Sequence, residues 1–567
     1  MMAAVRGESE VWRALGRLTP TERRICTAFP TGAEVDLRTG DAQIDDPAGA
    51  ADWPPARVVR AEVLAALLLG AGRTFPGRVA ALRLRGARIT GPLQLAHGRI
   101  AASWLLEQCR IDEHIDLEGG QTGSVYLRGS HLRTLSAYNA HIDGVLAVSG
   151  ATINGSGALA LYADSVTIAG DLRARDTRVT GPISLIGADI SGQVMLVDAC
   201  ITNHGGRSLN AGGMKVGRSL NCAGMRVVGE VRLPGVQIGS SLVFNGATLD
   251  GAGGTALSAT GLTVASDVSF RQELPGAGRC FASHGVMWMP GARIGGNLYL
   301  SGARLDSGGS TVALHARRAS VDGSVNLDRG FSTRDEIRLT ASRIGGLLDI
   351  SGMTSPDALL ILYGANVAGG IRDVGDCWPG RVDLDGLTYG PFDPYRPARQ
   401  RLTLLRRQIK TNKTEPGGYR AQPYEQLAAY YRGLGNDGQA RTVLLGKSRA
   451  ARTTQPWYRR LPGYLLDGLV GFGYRPSRAI GWALALLIGA SVYYSTVTPT
   501  RVDTQNTSEF NPVLYTADQL IPVIRFGQPE IWQFHGAAAA VGAVLTILGW
   551  TLGIAIAAGA TRALTRT

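Results

Sequence analysis

The chain has 567 residues, with 58 Lys and Arg against 45 Asp and Glu for a net charge of +13, and 76 glycines. Glycine stands at about twice its usual share of roughly 7 %, while charged residues, at 18 %, fall below the usual quarter. This excludes an acidic disordered chain, the lack of a Gly-X-Y period excludes collagen, and the length makes room for several domains.

In chain order, the stretch Met1–Arg23 carries Arg6, Glu8 and Glu10 and no unbroken apolar run, which reads against a secretory signal. Thr19-Pro20-Thr21-Glu22 has the form of a helix start, and Arg57–Leu69 has that of an amphipathic helix. Residues 1–75 are therefore expected to form an N-terminal helical cap. The six cysteines, Cys26, Cys109, Cys200, Cys222, Cys280 and Cys377, are scattered without a C-x-x-C. Reduced, buried thiols are expected from that spacing, not a disulfide framework or a zinc ribbon.

Residues 80–385 carry an internal repeat of the form G-A-x-I-x-G-x-L-x-L. Clear copies begin at Gly86-Ala87-Arg88-Ile89, Gly187-Ala188-Asp189-Ile190 and Gly291-Ala292-Arg293-Ile294. An apolar station recurs every 11 residues, as in Leu209, Leu220, Val231 and Leu242. Longer steps interrupt it, from Val194 to Leu209 and from Leu242 to Leu257 among others. Each carries a Gly-rich insert such as Asn203-His204-Gly205-Gly206 or Asp250-Gly251-Ala252-Gly253-Gly254, and together they give a 48-residue super-repeat. The glycines and the x-L-x-L alternation exclude an 11-residue helical coiled coil. The pattern predicts a mainly β chain: a β-solenoid of 22-residue coils, with the inserts emerging as stacked loops along one edge. The repeat fades beyond Ile350, where Leu360, Ile371 and Val382 read as degenerate stations.

Residues 396–478 hold 17 Lys and Arg against four acids, the whole basic surplus of the chain. Within them, 423–452 read as a helical hairpin of tetratricopeptide type. Its turn contains Gly433-Leu434-Gly435-Asn436-Asp437-Gly438, a literal G-x-G-x-x-G. A dinucleotide fingerprint follows a strand, so Gly433, Gly435 and Gly438 are only a weak cofactor site.

Residues 479–561 contain two uncharged runs, Ala479–Thr500 and Ile531–Thr561. Each is long enough to cross a bilayer, which predicts two transmembrane helices. Arg459, Arg460, Arg475 and Arg478 precede the first run and mark contact with an anionic lipid leaflet. With Arg562 and Arg566 after the second run, they place both termini in the cytoplasm and the connection outside the inner membrane. The acidic stretch Glu107, Asp112, Glu113, Asp116 and Glu118, with His114, reads as a solvated face. Among the catalytic motifs sought, G-x-S-x-G, H-E-x-x-H and the P-loop do not occur, so no catalytic residue, metal ligand or cofactor is expected. Nucleic acid is not an expected partner, because the basic patch abuts a membrane segment and no nucleic-acid motif accompanies it.

The repeat phrases, with Arg60-Ala61-Glu62-Val63-Leu64 and Gly473-Tyr474-Arg475-Pro476, resemble a bacterial family labelled membrane-associated oxidoreductase, with a pentapeptide-repeat- or bactofilin-like solenoid. The resemblance covers most of the chain and supplies no catalytic residues. The expected function is a membrane-anchored, non-enzymatic scaffold whose solenoid binds a protein partner, with homo-oligomers possible. The alternatives are the oxidoreductase of the family label and a two-span pore regulated by the solenoid.

Overall fold

The computed structural model describes residues 12, 14–72, 75–155, 157, 159–272, 278–409, 419–453, 477–502, 508–521 and 523–564. The chain divides into two units, Met1–Arg396 and Pro397–Thr567.

In the first unit the repeats wind into a parallel β-solenoid. Each coil gives short strands to three faces; the first face holds 15 strands and the third 13. About 13 coils at the ~4.8 Å spacing of paired strands extend roughly 60 Å. Leu220 lies in register with Leu242 on the first face, Leu209 with Val231 on the second, and Val216 with Ile238 on the third. Stations one leg apart therefore alternate between the first and second faces, and two legs close one 22-residue coil. Inward residues fall at the station and two, five and seven positions after it. Leu220, Cys222, Met225 and Val227, then Val231, Leu233, Val236 and Ile238, are all buried. Phe244 stacks on Phe270 at 5.4 Å in the same interior. Polar side chains stitch the corner between the third and first faces. Asp267 accepts the Asn297 backbone N–H at 2.7 Å, Asn297 that of Ser324 at 2.8 Å, and Ser324 that of Leu347 at 3.0 Å.

The inserts lie on the second face, in alternate coils. Val194 to Leu220 and Leu242 to Val268 are long coils, each widened by an insert, and the intervening Leu220 to Leu242 is a plain one. Cys200–Asn210 and Thr248–Ser258 carry the inserts as irregularities within their strands, while Arg226–Arg232 runs between them without one. The plain strand passes the insert at Gly229, whose φ is +112°. A Cβ there would lie 2.4 Å from Ser208 Oγ, 2.6 Å from the Gly206 carbonyl oxygen and 2.7 Å from that of Asn203. Gly285, with φ +132°, stands 2.6 Å by the same measure from the Gly254 carbonyl oxygen. The stacked loops thus need a strand without bulk beside them, which accounts for the 48-residue beat.

At the N-terminal end the helix Pro20–Ala28 begins on a capping box. The Glu22 N–H donates to Thr19 Oγ1 at 3.1 Å, and the Thr19 N–H donates to the Glu22 carboxylate at 2.9 Å. The cap is more than helices. Glu34–Asp36 pairs with Leu82–Arg85, and Val58–Arg60 pairs with Arg88–Thr90, so two capping strands extend the faces of the first coil. The expected Arg57–Leu69 helix is shortened to Ala61–Ala66 with a π turn after it, because its first residues form that strand. Buried ion pairs hold the cap. Arg57 and Asp45 meet at 2.8 Å, the Arg57 guanidinium lies 3.5 Å over the Trp53 ring, and its Nε donates to the Gly86 carbonyl at 2.7 Å. At the other end the stations Leu360 and Val382 pair on the second face, and Ile371 pairs with Phe392 on the first. The solenoid therefore continues past the expected limit of 385. The outward residues vary there, while the inward columns persist.

In the second unit, Gln422–Gly433 and Asp437–Thr453 form the helical hairpin, with Tyr424, Leu427 and Tyr431 packed against Ala440, Val443 and Leu444. Lys447 pairs with Glu425 across it. Further on, Ser477–Thr496 and Ala537–Leu564 are long apolar helices. Ala537–Ile554 is long and apolar enough to cross a membrane, whereas Ile480–Thr496 is a shorter apolar segment of 17 residues. The segment between them, expected to be an external connection, contains a helix, Pro512–Leu520, packed against both long helices.

Two outcomes test this arrangement. Gly229→Ala combines a disfavoured φ with backbone collisions and should cost about 2 to 4 kcal/mol. Limited proteolysis of the detergent-solubilised chain should then begin near residues 203–232, and an unchanged digestion pattern would contradict the loop packing. Acid should release the cap before the coils. A hydrogen bond from Arg38 holds the Asp36 carboxyl down at about 2. Burial pushes Glu22 up, but Arg60 and the backbone N–H groups of Thr19 and Arg60 outweigh it and leave the group below its usual range. Groups with a lowered native pKa stabilise fully above the unfolded value near 4, and that stability is lost as pH falls toward 2. Pepsin between pH 4 and pH 2 should therefore first cut within residues 17–60.

Candidate functional site

Gly433 closes the first helix of the hairpin, Gly435 sits in the turn at φ +71°, and Gly438 lies in the first turn of the second helix. A Cβ added at any of the three would meet nothing within 4 Å. No close approach demands glycine, and a helix rather than a strand leads into the motif, so these residues do not fit a pyrophosphate cradle. Arg459, Arg460 and Arg475 lie outside the described residues; Arg478 is the second residue of the helix Ser477–Thr496.

The acidic stretch is spread over two outer columns of the early coils. Glu107 pairs with Arg85 at 3.0 Å and with Arg128 at 3.4 Å, and Asp112 pairs with Arg88 at 2.8 Å and with Arg110 at 2.9 Å. His114 contacts Gln94, and Asp116 accepts the Glu118 backbone N–H. No group of three or more metal-ligating side chains converges among the described residues. All six cysteines are free. Burial pushes the Cys109 thiol up to about 12, that of Cys377 up to about 11, and raises that of Cys222 as well. These three stay protonated near neutral pH and are poor nucleophiles.

The feature with a binding geometry is an open groove of about 840 Å³ on the third face, lined by Arg293, Arg318, Ser320, Asp322 and Arg343 among others. Arg293, Ser320 and Arg343 occupy one outward column in successive coils. The backbones of the two arginines are thus about 10 Å apart, two coil spacings, with the Ser320 hydroxyl between them. Arg318 reaches the groove from the corner before Ser320. All three arginines are exposed, and among the described residues none has an ion pair or a side-chain hydrogen bond. In the next column of the face Ala265 and Gly295 are small and Asp322 adds one carboxylate, so arginines outnumber acids along the groove three to one. A flat floor with spaced guanidinium forks suits an extended anionic segment, because each fork can take a carboxylate or phosphate in bidentate fashion.

The sequence contains Arg293 within a repeat phrase and gives no sign of this role. The phrase G-A-R-I occurs at both residues 86–89 and 291–294, yet Arg88 lies on the second face, paired with Asp112, and Arg293 lies unpaired on the third. An 11-residue leg repeats the same phrase on opposite sides of the coil. The counting of legs and inserts that decides the face is a property of the whole stack.

No family model matches the chain, and no curated protein or solved structure matches it.

Proposed function

We propose that the chain is a membrane-anchored scaffold that presents its solenoid as a binding platform and has no catalysis of its own. The observation that carries this reading is the outer surface of the two long helices. Ile480, Trp482, Leu484, Ile488 and Val492 on one, and Val544, Ile547, Trp550 and Ile554 on the other, are each at least half exposed. Apolar surface of this extent is unfavourable in water and favourable in acyl chains. Seventeen residues at 1.5 Å each reach about 26 Å, close to the ~30 Å of a hydrocarbon core, so the first helix with its preceding residues also suffices for a span. The clustered arginines before the first helix favour the cytoplasmic side, facing an anionic leaflet. Both termini and the solenoid are then cytoplasmic, and a protein partner with an acidic segment fits the groove.

Topology is tested with single cysteines at two exposed positions, Ser508→Cys and Arg441→Cys, treated on intact cells with a membrane-impermeant thiol reagent. The first should label and the second should label only after the membrane is opened; the reverse pattern would put the solenoid outside. For the groove, the probe is a polyglutamate peptide. Arg293→Glu together with Arg343→Glu should weaken its binding at least tenfold, as should a rise in salt from 50 to 300 mM. Equal affinity for parent and variant would dismiss the groove as a binding site.

A further inference from the structure

The corner that leads into the third face repeats in each coil, two residues ahead of the outward column. Glycine holds it at Gly261, Gly291, Gly364 and Gly386, and alanine at Ala341, all with a left-handed backbone. Arg318 occupies the same corner between Gly291 and Ala341, at φ +56°. A residue with a Cβ holds this conformation against steric strain that a glycine would not feel. The turn itself therefore gives no reason for an arginine. Its side chain instead brings a third guanidinium to the gap between Arg293 and Arg343.

That gap has the dimensions of one anion. Arg293 and Arg343 stand two rungs apart in one column, with Ser320 on the rung between them. Two forks that donate at about 2.8 Å to opposite sides of one phosphate stand about 8 Å apart, and the two backbones are separated by about 10 Å. The Ser320 hydroxyl offers a further donor from the floor, and Arg318 another from the corner. A carboxylate has two oxygens to set against these donors, whereas a phosphate monoester has three.

Asp322 narrows the choice of ligand. It lies two residues along the strand from Ser320, about 7 Å away, and lines the same groove. Among the described residues its carboxylate has no ion pair and no hydrogen bond. A ligand with anions in a row, such as a lipid leaflet or a nucleic-acid strand, would set a second negative charge against it. A ligand whose charge is concentrated in one group would not. The groove, at about 840 Å³, is far larger than one phosphate, so a chain carrying that group has room along the rungs from Thr263 to Arg343.

We infer that the groove recognises a phosphorylated serine or threonine in an extended segment of a protein partner, with Arg293, Arg318, Arg343 and the Ser320 hydroxyl around the phosphate. This deepens the acidic-segment reading of the groove given above and rests on it.

The test measures, by fluorescence anisotropy with the full chain in detergent, the binding of a short Gly/Ala peptide with one central phosphoserine. The same peptide with glutamate at that position is the comparison. The phosphoserine peptide should bind at least about tenfold more tightly, because its phosphate engages more of the donors. Arg318→Gly should weaken that binding about tenfold and leave the proteolysis pattern unchanged, since neighbouring coils carry glycine at this corner. Equal affinity for the two peptides would overturn the phosphate site and leave the acidic-segment reading standing, and undiminished binding by Arg318→Gly would overturn it as well. Inorganic phosphate that displaces the peptide at the peptide's own concentration would reduce the site to one for the free ion. Tighter binding of a soluble inositol phosphate headgroup than of the phosphoserine peptide would assign the groove to lipid; either result overturns the protein partner. Failure of both peptides and of polyglutamate to bind would be a different failure, that of the groove reading itself.

Discussion

Each coil hydrogen-bonds its backbone to the coil before and the coil after, and this parallel ladder forces like side chains into columns. An apolar station lies over another apolar station, as Leu220 over Leu242 and Leu82 over Trp104, because a shift of one residue would turn every inward side chain outward. The 22-residue length, the buried columns and the Ser/Asp/Asn stitching at the corner all answer that one requirement. So does the cap, whose strands Glu34–Asp36 and Val58–Arg60 occupy an edge that would otherwise present unpaired N–H and C=O groups.

The inward columns are legible in the chain because the ladder repeats them at fixed distances. The stations Leu209, Leu220, Val231 and Leu242, the inserts and the coil length can all be counted along it. The ends are harder to read. Val58–Arg60 sits in a stretch with helical periodicity and becomes a strand because the first coil offers it a partner, so tertiary pairing overrides local preference. The groove is not legible at all. Arg88 and Arg293 have the same neighbours in sequence and different neighbours in space, and a single chain carries no local mark of which face a leg supplies.

The two units solve the same solvation problem in opposite ways. In the solenoid, the inward apolar columns are enclosed, and the outer columns are mainly polar with single apolar side chains such as Ile186 and Trp288 among them. In the long helices, the small and polar residues Gly542, Thr546 and Gly549 face inward, toward the short helix, and Ile547, Trp550 and Ile554 face out. Hydropathy along the chain finds the second arrangement as two uncharged runs. It misses the helix Pro512–Leu520, because Asp518 and Gln519 make that segment look like an exposed loop. Asp518 is spent on backbone N–H groups and Gln519 on a threonine hydroxyl, so both polar side chains are satisfied locally.

The alternation of loop-bearing and plain coils also sets the increment by which such a protein can change length. Loss of a single plain 22-residue coil would bring two insert loops onto neighbouring rungs about 4.8 Å apart, with no glycine strand between them. Loss or gain of a 48-residue pair would leave every loop beside the strand that accommodates it. Deletions through residues 146–268 are thus expected to remove coils in pairs, and designed extensions of the rod can use the same two-coil module.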